Sequence, residues 1–134
     1  MKVVLDTNVF VSGVFFSGPP FQILKAWNDG KIQLVVSPEI LDEYSRVGKI
    51  LAEDHPNIDL KPVLDYVIRY AEVYAAPPLP ESVCEDPDDD IFLACALVSR
   101  SKVIVSGDRH LLKVSGYRKI EILKPRDFLN KYLE

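Results

Sequence analysis

Cysteine is scarce in this chain, with only Cys84 and Cys95 in 134 residues, and the pair has no metal-ligand spacing. Cys95 lies inside an apolar run and reads as a small buried hydrophobe, so a reducing cytoplasm is the expected location. The only two histidines, His55 and His110, stand far apart and are weak ground for a zinc site. No apolar stretch approaches the roughly 20 residues that cross a bilayer, so no membrane role is expected. The opening run Val3-Val4-Leu5 meets an acid at Asp6, too early for a secretory signal. Internal repeats, low-complexity tracts and charged tails are all missing. So is a basic surplus: 16 Lys and Arg face 20 Asp and Glu, a net charge of −4. That balance argues against a simple nucleic-acid coat, which needs excess positive charge for phosphate contacts. It does not exclude a nuclease. If four of the 20 acids surround a divalent cation, the remaining 16 balance the 16 bases.

What is present describes one globular domain over residues 1–134, with 48% hydrophobic and 27% charged residues. Lys2 to Leu5 is a β-branched run that reads as a buried strand ending at Asp6. Ser17-Gly18-Pro19-Pro20 is loop punctuation, and its prolines open a helix from about Phe21 to Asn28. Asp29-Gly30 stops that helix, and Ile32 to Val36 is a second strand. Ser37-Pro38 reads as an N-cap with proline at the first helical position, opening a helix with Ile40, Leu41, Tyr44, Val47 and Leu51 on one face. A further amphipathic helix is predicted over Leu60 to Val73, with Val63, Leu64, Val67, Ile68 and Ala71 inward. Ala76-Pro77-Pro78-Leu79-Pro80 is a stiff connector. Ile91 to Val98 carries no charge and must be buried nearly all round. Lys102 to Ser106 and Lys119 to Leu123 are two more strands. Gly107 to Val114 is a turn and short helix, and Pro125 to Leu133 a closing helix. Strands alternating with helices predict a three-layer α/β sandwich around a central, mostly parallel sheet. Sites in such folds lie beyond the carboxyl ends of the strands.

Four acids sit where they can meet. Asp6 ends the first strand; Asp6-Thr7-Asn8 suits either a helix cap or an acid facing the cleft. Glu43, unlike Glu39 and Asp42, lies on the flank of its helix's apolar stripe, either looking into the edge of the core or pairing with Arg46. In Asp86-Pro87-Asp88-Asp89-Asp90, Asp86 is the predicted N-cap, and Asp88 and Asp89 favour the positive end of the helix dipole. Asp90 lies in the first turn at the mouth of a buried helix. Capping explains one or two of these acids but not all. Ser106-Gly107-Asp108 follows an apolar strand, as an ordinary turn and cap or as a further acid at the strand's carboxyl end. Two carboxylates about 5 Å apart repel by about 3 kcal/mol at an effective dielectric of about 20. A cluster therefore needs protons or a cation. Hard oxygen donors without Cys or His favour Mg²⁺ or Mn²⁺ over Zn²⁺.

Val3-Val4-Leu5-Asp6-Thr7-Asn8 resembles the opening of PIN-domain nucleases. Ser37 to Glu43 resembles their second acidic segment, Glu85 to Ala96 the third, and Val105 to Leu112 the fourth. The tail Ile122 to Leu129 resembles the branch that supplies toxin components of type II toxin–antitoxin pairs. The likeness spans nearly the whole chain. It implies Asp6, Glu43, Asp90 and Asp108 as metal-binding acids, with Asn8, Ser106 and Asp86 in support. The third acid is ambiguous among Asp86, Asp88, Asp89 and Asp90; Asp90 is chosen because it directly precedes the buried helix. Ser106 stands where many members carry threonine, which keeps the hydroxyl. The resemblance further implies a Mg²⁺- or Mn²⁺-dependent ribonuclease hydrolysing RNA phosphodiester bonds, an antitoxin partner and a homodimer. Arg109 and Lys113 are candidates to position the substrate. Two other readings remain: a non-catalytic PIN-like binding module, and a haloacid-dehalogenase-like phosphatase. The phosphatase chemistry wants a second aspartate where this chain has Asn8. Val14-Phe15-Phe16 and the helix with Phe21, Ile23, Leu24 and Trp27 hold much apolar surface. Most of it is expected to cover the sheet and part to remain exposed for a partner.

Overall fold

The computed structural model describes residues 1–133. Five strands form one sheet: β1 (Lys2–Leu5), β2 (Gln33–Val36), β3 (Glu72–Val73), β4 (Val103–Val105) and β5 (Glu121–Leu123). Their spatial order is β3-β2-β1-β4-β5, and every pairing is parallel. The sheet is the middle of a three-layer α/β sandwich. A parallel sheet covered on both faces needs strands that are apolar throughout. Accordingly Val3, Val4, Val35, Val36, Ile104 and Val105 are fully buried.

Seven helices connect and cover the strands among the described residues: α1 (Thr7–Phe15), α2 (Pro19–Asn28), α3 (Pro38–Glu53), α4 (Leu60–Tyr70), α5 (Asp90–Ser99), α6 (Arg109–Leu112) and α7 (Pro125–Phe128). The strand order matters most for function. The chain lays β2 and β3 on one side of β1, then returns to place β4 on the other. The reversal lies between β1 and β4, where an open α/β sheet leaves a crevice beyond the strand ends.

The structure departs from the sequence-based expectation in several elements. Helix α1 begins directly after Asp6, in a stretch whose apolar residues show no clear period. Pro19 and Pro20 are the first residues of α2 rather than a loop before it. Helix α4 ends at Tyr70, because Ala71 turns extended and leads into β3, which pairs Val35 with Glu72 and Val36 with Val73. Ile68, within α4, is not inward but 59% exposed. The closing helix is four residues of α7 followed by a π turn, Leu129–Leu133. Gly13 is required by the packing of α1 on α2: a Cβ there would lie 2.6 Å from Leu24 Cδ1 and 2.9 Å from the Pro20 carbonyl oxygen.

Candidate metal centre

The register across β1 and β4 pairs Leu5 with Val105. One residue further on, the Asp6 N–H still donates to the Val105 carbonyl at 2.9 Å, so Asp6 and Ser106 emerge side by side above the sheet. The Ser106 hydroxyl donates to Asp6 Oδ2 at 2.6 Å and accepts from the Asp108 N–H at 2.9 Å. One buried serine thus ties the acid after β1 to the acid after β4. Asp6 precedes α1 but makes no side-chain cap to it, and it is only 5% exposed. Burial pushes its carboxyl up to about 6, with the nearby Asp108 and Glu43 charges adding to the effect and bonds from Ser106 and Thr7 opposing it.

Helix α3 brings in Glu43. The Ser37 hydroxyl caps this helix by accepting from the Ile40 N–H, and Tyr44 anchors its first turns. The Tyr44 ring stacks on Phe10 at 4.1 Å between centroids, and its hydroxyl donates to the carbonyl of Leu5. That bond clamps α3 to the end of β1, so the preceding residue, Glu43, reaches the same crevice. Glu43 Oε1 accepts from the Thr7 hydroxyl at 2.7 Å. Thr7, a residue that sequence reasoning passed over, supplies polar support here, whereas Asn8 is exposed.

The acidic run splits by role. Asp86 caps a 3-10 turn, Pro87–Asp89, by accepting from the Asp88 N–H at 3.0 Å. Asp90, the acid expected to face the cation, has its carboxylate committed elsewhere. Its Oδ1 accepts from Cys84 N–H at 2.8 Å, and Oδ2 accepts from Val83 N–H at 3.1 Å and the Ser82 hydroxyl at 3.4 Å. Burial works to raise its pKa, but these donors outweigh it and hold Asp90 below the usual carboxylate range. Asp89 is the acid of this run that faces Asp108 and Asp6. Its Oδ2 is buried without any hydrogen-bond partner. Burial, then the Asp108 carboxyl beside it, then the charges of Asp6 and Asp86 push Asp89 up to about 7. The 3-10 turn Pro87–Asp89 ends on Asp89, just ahead of α5, while the Val83 and Cys84 N–H groups and the Ser82 hydroxyl take both oxygens of Asp90.

Asp108 caps α6 through Oδ1, which accepts the His110 N–H at 3.1 Å. That cap turns the His110 ring back over the cluster. Asp89, Asp108 and His110 each offer a ligand atom, all within 4.8 Å of one another. His110 was not a candidate from sequence. The available signal was its place two residues after a strand-end aspartate that caps a helix. Both cysteines are buried and free, with burial pushing each thiol up to about 12. They read as core residues.

An orphaned buried carboxylate oxygen, faced by further carboxylates and an imidazole, fits a divalent cation. An α/β fold with a switch-point crevice lined by acids is an architecture that can hold a divalent cation. Residues 2–110 match the PIN domain family, and the chain belongs to it. Proteins of this family are generally metal-dependent nucleases. The chain is also 27% identical, over 147 aligned positions, to an uncharacterized protein of Methanocaldococcus jannaschii, covering 98% of this chain and 92% of that one. Among the described residues no helix is long and apolar enough to cross a membrane.

Proposed function

We propose that this protein is a Mg²⁺- or Mn²⁺-dependent ribonuclease, with Asp6, Asp89 and Asp108 as the carboxylates that hold the cation and Glu43 directed at the same site. The observation that carries this reading is the buried, partnerless Asp89 Oδ2 beside Asp6 and Asp108. Asp89 takes the place that the family resemblance gave to Asp90. When bound, the cation would lower the pKa of a coordinated water and neutralise charge on a scissile phosphate. Ser106 orients Asp6, and Thr7 holds Glu43 by one oxygen, leaving the other free to accept a proton from water. Arg109 is exposed beside the site and suited to a phosphate, whereas Lys113 is paired with Glu85 at 3.3 Å. The test is cleavage of single-stranded RNA by the purified chain. Mg²⁺ or Mn²⁺ supports it, EDTA abolishes it, and Asp6→Asn removes it while the protein stays folded. Cleavage that survives EDTA, or a folded chain inert with every divalent ion, favours the binding-module reading instead.

The same reading makes the chain a toxin component that acts in the cytoplasm, is held by an antitoxin and pairs as a homodimer. Its support is the resemblance of the tail and the exposed apolar residues of the entry region. Phe15 and Ile23 are buried, but Phe16 is 50% and Phe21 48% exposed. Light scattering of the purified chain is expected to give a dimer, with Phe16→Ser and Phe21→Ser together shifting it to monomer. A strict monomer at high micromolar concentration removes the homodimer.

A further inference from the structure

His110 is the one side chain of the carboxylate cluster that is not an oxygen donor, and its two ring nitrogens meet different surroundings. Nε2 stands 3.1 Å from Glu85 Oε2, within hydrogen-bond reach. Nδ1 stands 3.9 Å from Asp89 Oδ2 and 3.8 Å from Asp108 Oδ1, both too long for hydrogen bonds. An ionised carboxylate only accepts, so the contact with Glu85 requires the proton on Nε2. In the neutral ring that leaves the Nδ1 lone pair facing two carboxylate oxygens. One of these, Asp89 Oδ2, is the buried atom without a donor. Of these three acceptors only Asp108 Oδ1 has a donor, the His110 N–H; together they are poor company for one another but suitable ligands for a cation. The 3.9 and 3.8 Å spans lie within about 1 Å of the roughly 3.0 Å between neighbouring ligands of an octahedral ion at about 2.1 Å, a gap that small side-chain rotations close. Glu85 then has the usual role of a carboxylate behind a metal-bound histidine, fixing tautomer and ring orientation. Glu85 is itself held by Lys113.

We infer that His110 is a direct nitrogen ligand of the catalytic cation through Nδ1, so that the site prefers a transition ion such as Mn²⁺ over Mg²⁺. Imidazole binds first-row transition ions far better than it binds Mg²⁺, which favours oxygen donors and retained water. This rests on the cation reading of the site and adds to it a ligand and a selectivity. An all-carboxylate site would leave the choice of ion to availability; a nitrogen donor biases it.

The experiment is Mn²⁺ binding to the full-length chain, followed by electron paramagnetic resonance and pulsed detection of nitrogen coupling. With only two histidines in the chain, the source of a nitrogen signal is decided by one substitution each. The expected result is imidazole nitrogen coupling to bound Mn²⁺ that persists in His55→Gln and is lost in His110→Ala. His110→Ala is expected to weaken Mn²⁺ about tenfold or more and to change Mg²⁺ competition by less than about threefold. Mn²⁺ bound without nitrogen coupling, or coupling retained in His110→Ala, overturns the His110 assignment and leaves the carboxylate site intact. No Mn²⁺ binding at millimolar concentration overturns both. Should His110→Ala fold poorly, coupling retained in His55→Gln still assigns the nitrogen to His110, and coupling lost there overturns the assignment.

Discussion

Asp89→Asn and Asp90→Asn are expected to fail in opposite ways, although the two residues are neighbours. Asp89→Asn should lower RNA cleavage by about two orders of magnitude or more, since the cation loses a negative ligand where the site has few donors of any other kind. Its stability in EDTA should hold or rise, because a buried carboxylate without a donor is replaced by a neutral amide. Asp90→Asn should cost about 1–3 kcal/mol of stability. Both oxygens of Asp90 accept from N–H groups, Cys84 on one and Val83 on the other. An asparagine must present its own NH₂ to one of those donors, so a charge-assisted bond becomes a donor–donor conflict. Cleavage should fall only several-fold, through loosening of the segment that carries Asp89. Urea melts and initial rates on one single-stranded RNA measure both. A deep loss of activity with unchanged stability in Asp90→Asn would return the third ligand to Asp90.

That pair of residues also marks where the sequence stops being informative. Much of the fold is legible because local signals agree with burial. Lys2 to Leu5 is a strand since it has no polar face to offer, and Ser37-Pro38 starts a helix because hydroxyl cap and proline both favour it. Ile91 to Val98 is mostly core because it carries no charge: Phe92, Leu93, Cys95 and Ala96 are fully buried, while Val98 at its end is 39% exposed. Asp6, Ser106 and Asp108 are legible as a site because a parallel register brings strand ends together. Other features depend on partners distant in the chain. Strand β3 is two residues long and exists only because β2 offers an edge. Helix α1 has five apolar residues in nine, Val9, Phe10, Val11, Val14 and Phe15, and such short apolar runs fit a buried strand as well as a buried helix. The difference between Asp89 and Asp90 turns on the Val83 and Cys84 N–H groups that hold Asp90, a tertiary contact that composition does not encode. His110 stands beside Asp89 and Asp108 through the turn that the Asp108 cap closes, a geometry that spacing alone does not reveal.

The remaining large effect is on stability rather than rate. In EDTA the protein should lose stability as pH rises from about 4 to about 7, the reverse of ordinary acid denaturation at carboxylates. Asp6 is pushed up to about 6 and Asp89 to about 7 in the folded chain, against about 3.9 for aspartate in an unfolded one. The folded state therefore holds its protons more tightly than the unfolded state across that interval. Stability falls with pH wherever the folded state binds more protons. The contribution is complete below the unfolded pKa of about 4. It is gone once pH passes the folded value of about 7. Asp6→Asn removes the more deeply buried of the two charges while keeping an oxygen for the Ser106 hydroxyl. It should raise stability in EDTA at pH 8 by about 2 kcal/mol, allowing for solvent screening, and change little at pH 4. Saturating Mn²⁺ should abolish the decline in the unsubstituted chain, since ligand that binds only the folded state adds stability as its concentration exceeds Kd. Mn²⁺ should do much less for Asp6→Asn. Urea midpoints at pH 4, 6 and 8, with EDTA or with Mn²⁺, provide the measurement. A midpoint that is flat or rises between pH 4 and 8 in EDTA would mean the Asp6 and Asp89 carboxyls are neither desolvated nor crowded enough to hold their protons. The crevice would then need no cation to fold as it does.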